Sequence, residues 1–179
     1  MSTEQSLSAV ASRLSAICLT AGLMASPMAA DAHEPKASSQ SGALVSEVAR
    51  PAVAVVEQFS SALQAGDLKR AGSLLADDVL ILEGGGAEHS RDEYLGGHAP
   101  HDAAFLKDAH IQVKQRTARS SSDMAWVGTE SELHTSQNGK PVALLSTETM
   151  VLRRDADGWR IVHIHWSSQP VKTDANQQP

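Results

Sequence analysis

Cysteine is nearly absent from this chain: Cys18 is the single one in 179 residues. One cysteine cannot build a disulfide framework. Because Cys18 lies in a stretch that reads as removable, no Cys nucleophile or thiolate metal site is expected either. Aromatic residues are also few, with two Phe, one Tyr and three Trp, and no basic stripe interleaves with them. With 21 acidic against 15 basic residues and a formal charge of −6, nucleic acid is not an expected partner. Blocks of like charge that would form an interaction tail are missing. So is any apolar run of the roughly 20 residues that a membrane-spanning helix needs.

The N-terminus differs in composition from the rest. Arg13 precedes the apolar run LSAICLTAGLMA at 14–25, and Ala30-Asp31-Ala32 has the small-x-small form read by signal peptidase. Residues 1–32 are therefore expected to be a signal peptide and the protein to be exported, to the periplasm or outside the cell. Ser15-Ala16-Ile17 lacks the small residue expected just before a lipidated cysteine, so Cys18 does not mark a lipoprotein. Residues 33–46 read as a linker, opening with the polar HEPKASSQSG.

From Val48 to Leu63, apolar residues recur at Val48, Ala52, Val55, Val56, Phe59 and Leu63, the spacing of an amphipathic helix. Gly66 stops it, and Asp67 caps a short second helix through Leu68, Ala71, Leu74 and Leu75. The run at 79–82 reads as a buried strand. Ser90-Arg91-Asp92-Glu93 has capping-box spacing and opens a helix that Gly96-Gly97 and Pro100 should break around His98 and His101. After His110 the period becomes two, giving strands at 111–119, 124–135, 142–153 and 159–167. Asn138-Gly139 joins the second and third of these, and Asp155-Ala156-Asp157-Gly158 the last two. Helices first, then an antiparallel meander, describe an α+β domain over 47–169 with a disordered tail at 170–179.

The turns set a register. A two-residue loop at Asn138-Gly139 pairs Gln137 with Lys140 and brings Thr129 opposite Glu148. Alternation then gathers Thr129, Ser131, Ser146, Glu148 and Met150 on one largely apolar face. If Arg154 faces Trp159 across the last turn, Glu148 lies opposite His165 and Met150 opposite His163. That places one carboxylate and two imidazoles in one concavity. An odd-length turn would put the histidines outside.

The order of elements and the closing hairpin TETMVLRRDADGWRIVHIHWSS resemble the SnoaL-like branch of the nuclear transport factor 2-like superfamily. The segment Trp159-Arg160-Ile161-Val162-His163-Ile164-His165 is also similar to the last strand of the calcium/calmodulin-dependent kinase II association domain. The resemblance implies a cone, with a curved antiparallel or mixed sheet packed on a long N-terminal helix and a pocket at the open end. Family members include isomerases, cyclases, dehydratases, binding proteins and oligomeric hubs, so the fold does not name the function. Met150 stands where the association domain has an arginine for acidic ligands. The acid pair of Tyr and Asp used by the isomerases has no clear match, Tyr94 being the one tyrosine.

Three readings follow. In the first, a small organic molecule binds in the pocket and Glu148, desolvated, acts as general base, with His163 or His165 orienting it or bonding an oxyanion. Tyr94, His98, His101, Thr129, Ser131, Ser146 and Met150 are the expected ligand contacts, and no cofactor is expected. In the second, no catalysis occurs and the chain is a homodimeric binding or assembly module that pairs through the outer sheet face with Trp126 and Val151. In the third, the His163-x-His165 strand binds a metal together with Glu148, with His101 in reserve. Signal cleavage before Asp31-Ala32-His33 would create a separate Cu(II) or Ni(II) chelate.

Overall fold

The computed structural model describes residues 44–172 apart from Asn138, all within a compact unit spanning 40–179. The expected signal peptide, most of the linker with its Asp31-Ala32-His33 chelate, and residues 173–179 of the tail lie outside the described residues. No helix among those described is long and apolar enough to cross a membrane.

A 3-10 turn, Glu47–Ala49, leads into helix α1, Arg50–Gln64, with Pro51 in its first turn where the missing N–H costs nothing. Ala52, Val56, Phe59 and Leu63 form its buried stripe. Gly66, at φ +73°, reverses the chain, and the Asp67 carboxylate accepts from the Arg70 amide at 2.9 Å to start α2, Leu68–Leu74. Ser90 caps α3, Arg91–Gly96, through the Glu93 amide, while the Glu93 carboxylate reaches back to the His89 amide at 2.7 Å. Helix α4, Ala99–Leu106, follows the Gly96-Gly97 break.

Six strands form one mixed sheet in the order β2-β1-β6-β5-β4-β3. They are β1 Leu75–Glu83, β2 Gly86–Glu88, β3 His110–Ser121, β4 Met124–Gln137, β5 Lys140–Asp155 and β6 Gly158–Pro170. Two features go beyond the pattern-based reading. Leu75, expected in the second helix, begins a nine-residue strand, and that strand runs parallel to β6 while its glycine turn returns as β2. At the outer edge, Leu44–Ser46, expected as linker, bond to Ala118 of β3.

Both hairpin turns pair as their sequences imply. Gln137 faces Lys140, Thr129 faces Glu148 and Arg154 faces Trp159. At the last turn Asp155 accepts from the Asp157 amide, Gly158 takes φ +121°, and the Arg154 guanidinium lies 4.7 Å over the Trp159 ring. Beyond that turn the ladder slips. Leu152 faces Ile161 but Val151 faces His163, so Val162 is an extra residue on β6.

The bulge corrects the expected face. From His163 onward the parity of β6 is reversed, so Ile164 and Trp166 turn toward α1 while His163 and His165 turn outward. The balance is clear in magnitude. Strict alternation would expose Ile164 and Trp166, forfeiting roughly 2 kcal/mol each, and would bury two imidazoles in an apolar layer. The bulge sacrifices about one ladder hydrogen bond, near 1 kcal/mol. The core it completes contains Phe59, Ile81, Met150, Leu152, Ile161 and Ile164, all 1% exposed or less.

Candidate active site

One rung of the sheet crosses five strands and carries most of the site. Glu83 of β1 pairs with Trp166 of β6, Trp166 with Glu148 of β5, Glu148 with Thr129 of β4, and Thr129 with Arg116 of β3. Directly paired residues point to the same side, and here all five line a cavity of about 180 Å³ between the sheet, α1 and α4. The next rung along the strands is Ser168, Ser146, Ser131 and Val113, and beyond it come Leu144, Leu133 and Ile111. Phe59, Ser60 and Leu63 of α1 and Asp102, Phe105 and Leu106 of α4 form the opposite wall. A dry cavity of roughly 150 Å³ accepts a benzene-sized molecule, so this one suits a compact organic ligand.

The rung is held by side-chain hydrogen bonds. The Trp166 indole N–H donates to Glu148 Oε2 at 2.8 Å, and the ring stacks on Phe59 with centroids 6.4 Å apart. Arg116 donates from Nε to Thr129 Oγ1 at 3.2 Å and from its terminal nitrogen to Glu57 Oε1 on α1 at 2.7 Å. On the helical wall, the Tyr94 hydroxyl donates to Asp102 Oδ2 at 2.9 Å.

Three carboxyl groups of the lining are pushed above their ordinary values. Burial raises Glu148, against opposing pulls from the Trp166 N–H, the Arg116 charge and the Thr129 hydroxyl. Burial also raises Asp102, while the Tyr94 hydroxyl and His98 pull it down. Glu83 rises through burial and the nearby Asp102. Enclosure and then the adjacent Asp102 push the Tyr94 phenol far up, so it remains a hydrogen-bond donor. Two carboxyl groups on facing walls, each raised above its ordinary value by burial, have the chemistry of an acid–base pair.

Of the residues that the sequence singled out, Glu148, Thr129, Ser131 and Ser146 line the cavity. Met150 shares their face but is fully buried in the core beneath. Tyr94 is likewise buried and reaches the cavity only through Asp102. His98 binds the buried carboxylate of Glu88, and His101 Nδ1 donates to the Gly97 carbonyl at 3.3 Å; neither belongs to the lining. His163 Nδ1 donates to the Leu80 carbonyl at 2.9 Å, and His165 is exposed. The bulge thus separates both imidazoles from Glu148, which removes the geometric basis for a shared metal site. Among the described residues no group of three His, Cys, Asp or Glu is placed to hold a metal ion.

Glu83, Asp102, Arg116 and Trp166 were not anticipated. For Trp166 a signal existed: the apolar residues of β6 fall at Trp159 and Ile161, then at Ile164 and Trp166, a change of parity that marks a bulge.

Comparison with known proteins agrees with this architecture. Residues 53–172 match the profile of the SnoaL-like domain. A candidate ketosteroid isomerase from Shewanella frigidimarina is 37% identical, with a TM-score of 0.65 over 69% of this chain and 99% of its own. A candidate dehydratase of the NTF2-like family from Streptomyces avermitilis is 20% identical, TM-score 0.57, over 69% and 96%. A candidate calcium/calmodulin-dependent protein kinase II association domain from Xanthomonas campestris is 23% identical, TM-score 0.57, over 69% and 89%. Curated proteins give no match. The chain belongs to the SnoaL-like family, with the nuclear transport factor 2-like fold.

Proposed function

We propose that this protein binds a compact carbonyl compound in the cavity and transfers a proton on it. The observation that carries the reading is the placement of Glu148 and Asp102 on facing walls of one mostly apolar cavity, each with its carboxyl raised by burial. Neighbours of both carboxyls favour the anion, but of the two only Glu148 also lies near an arginine charge, that of Arg116, so Glu148 is assigned as the base, taking a proton from the carbon next to the carbonyl. Asp102 in its protonated form hydrogen-bonds the oxygen on which charge develops. Return of the proton from Glu148 to a more distant carbon completes an isomerisation. The likeness to an isomerase candidate, at 37% identity, supports this reaction class. The test uses cyclohex-3-en-1-one, a one-ring β,γ-unsaturated ketone, and follows absorbance of the conjugated product together with deuterium uptake at carbon. Glu148→Gln should lower the rate at least about 100-fold. Retained turnover in that variant, or neither reaction with the unaltered protein, overturns the proposal.

A homodimer is proposed alongside, formed through the outer sheet face, where Trp126 and Leu145 are 43% and 42% exposed. Export through residues 1–32 is also proposed, and N-terminal sequencing of protein recovered outside the cytoplasm tests it.

A further inference from the structure

The titratable groups that reach the cavity are mostly acidic. Arg116 is the one basic residue of the lining, against Glu83, Asp102 and Glu148. Its guanidinium is already engaged: Nε donates to Thr129, and a terminal nitrogen to Glu57, a carboxylate on α1 that is not part of the lining. The pair is asymmetric in exposure. Arg116 is 17% exposed while Glu57 is 58% exposed, so the cation faces the cavity and its counter-ion sits behind it toward solvent.

An arginine in an apolar cavity is ordinarily an anchor for carboxylates or phosphates, through two parallel hydrogen bonds. Here Nε is committed to Thr129 and one terminal nitrogen to Glu57, so each two-nitrogen edge of the guanidinium already has a donor in use. Around the rest of the cavity lie serine hydroxyls, which hydrogen-bond neutral oxygens well but supply no positive charge. A ligand anion entering would meet the carboxylate of the base Glu148 and a guanidinium whose charge Glu57 offsets.

We infer that Glu57 sets the charge selectivity of the cavity: by neutralising Arg116 from outside, it makes the site one for neutral carbonyl compounds and turns away their carboxylate counterparts. This rests on the cavity being the binding site for a carbonyl compound. Arg116, kept in place by Thr129 and Glu57, then supplies shape and hydrogen bonds and no net attraction for anions.

A matched pair of probes tests it: methyl 4-oxocyclohexanecarboxylate and the free 4-oxocyclohexanecarboxylate, which share ring and ketone and differ in charge. Affinities are measured by calorimetry at neutral pH. The unaltered protein should bind the ester about tenfold or more tightly than the acid. Glu57→Gln, which keeps a hydrogen-bond acceptor beside Arg116 but removes the charge, should narrow that ratio by about tenfold, the scale of one unit charge acting across a partly shielded gap. Adding Arg116→Gln to Glu57→Gln should restore the original ratio, since both charges are then gone. Equal binding of ester and acid by the unaltered protein, or an unchanged ratio in Glu57→Gln, overturns the inference while leaving carbonyl binding intact. Absence of any binding of the ester removes the carbonyl-site reading and this inference with it.

Discussion

Trp166 donates its indole N–H to Glu148 from directly across the β5–β6 ladder, at 2.8 Å, while its ring rests on Phe59. The same residue thus fixes the carboxylate's position and favours its ionised form. Trp166→Phe keeps an aromatic surface against α1 but deletes the donor. The Glu148 carboxyl should then rise further above 4.5, and the acid limb of the pH–rate profile should move upward with it. An unmoved limb would mean that Glu148 is not the titrating base.

Glu148 also links folding to pH. Its carboxyl is raised in the folded state, so the folded protein holds this proton more tightly than the unfolded chain. Below the unfolded value the group is protonated in both states and costs nothing. As pH rises through the folded value, the full cost of a buried anion appears. Glu148→Gln should therefore melt close to the unaltered protein at and below the ordinary carboxylate range and gain on it progressively as pH rises above that range, levelling off once Glu148 is ionised in the folded state. Melting curves across that range check the sign, with a constant offset as the contrary result.

The bulge at Val162 makes opposite predictions for neighbouring residues on β6. Ile164 is fully buried, so Ile164→Ala should cost about 2–5 kcal/mol. His165 is exposed, and His165→Ala should stay within about 0.5 kcal/mol. Strict alternation would reverse the order, and urea unfolding of the two variants distinguishes the registers.

Tyr94→Phe removes the hydroxyl that donates to Asp102 and leaves the ring in place. The Asp102 carboxyl loses the largest pull holding it down and should titrate higher, visible by carbon NMR of the side chain. Stability should fall by about 1 kcal/mol, the net worth of one hydrogen bond.

Trp126→Lys tests the outer face. If the proposed homodimer forms through Trp126, a charge in place of this exposed side chain should give a monomer on sizing where the unaltered protein runs as a dimer, and an unaltered protein that itself runs as a monomer removes the dimer proposal.

What the sequence made legible follows from how far each local signal reaches. Asn138-Gly139 fixed β4 against β5 along their whole length, and so placed Thr129, Ser131, Ser146 and Glu148 correctly. The last turn fixed only the first three pairs after Asp155 and Gly158, because the Val162 bulge reset the phase beyond them. Neither valine nor its neighbours mark a bulge as glycine would, and the parity change of the apolar residues was the sole local trace. Arg116 depends on a second slip, between Val113 and Gln115, without which Gln115 would face inward. Glu83 and Asp102 reach the cavity through the parallel β1–β6 pairing and the seat of α4, which no turn sequence encodes.

The single extra residue at Val162 has a consequence for how this site can diverge. Every side chain from 163 onward is assigned to cavity or exterior by counting from that bulge. A relative lacking Val162 would keep Ile164 and Trp166 turned inward on a regular ladder, whereas one that kept every residue but paired them without the bulge would turn the His165 imidazole toward Glu148 in place of the Trp166 indole. In this fold, one irregularity in the pairing of a strand selects which side chain meets the ligand, as decisively as the identity of Glu148 itself.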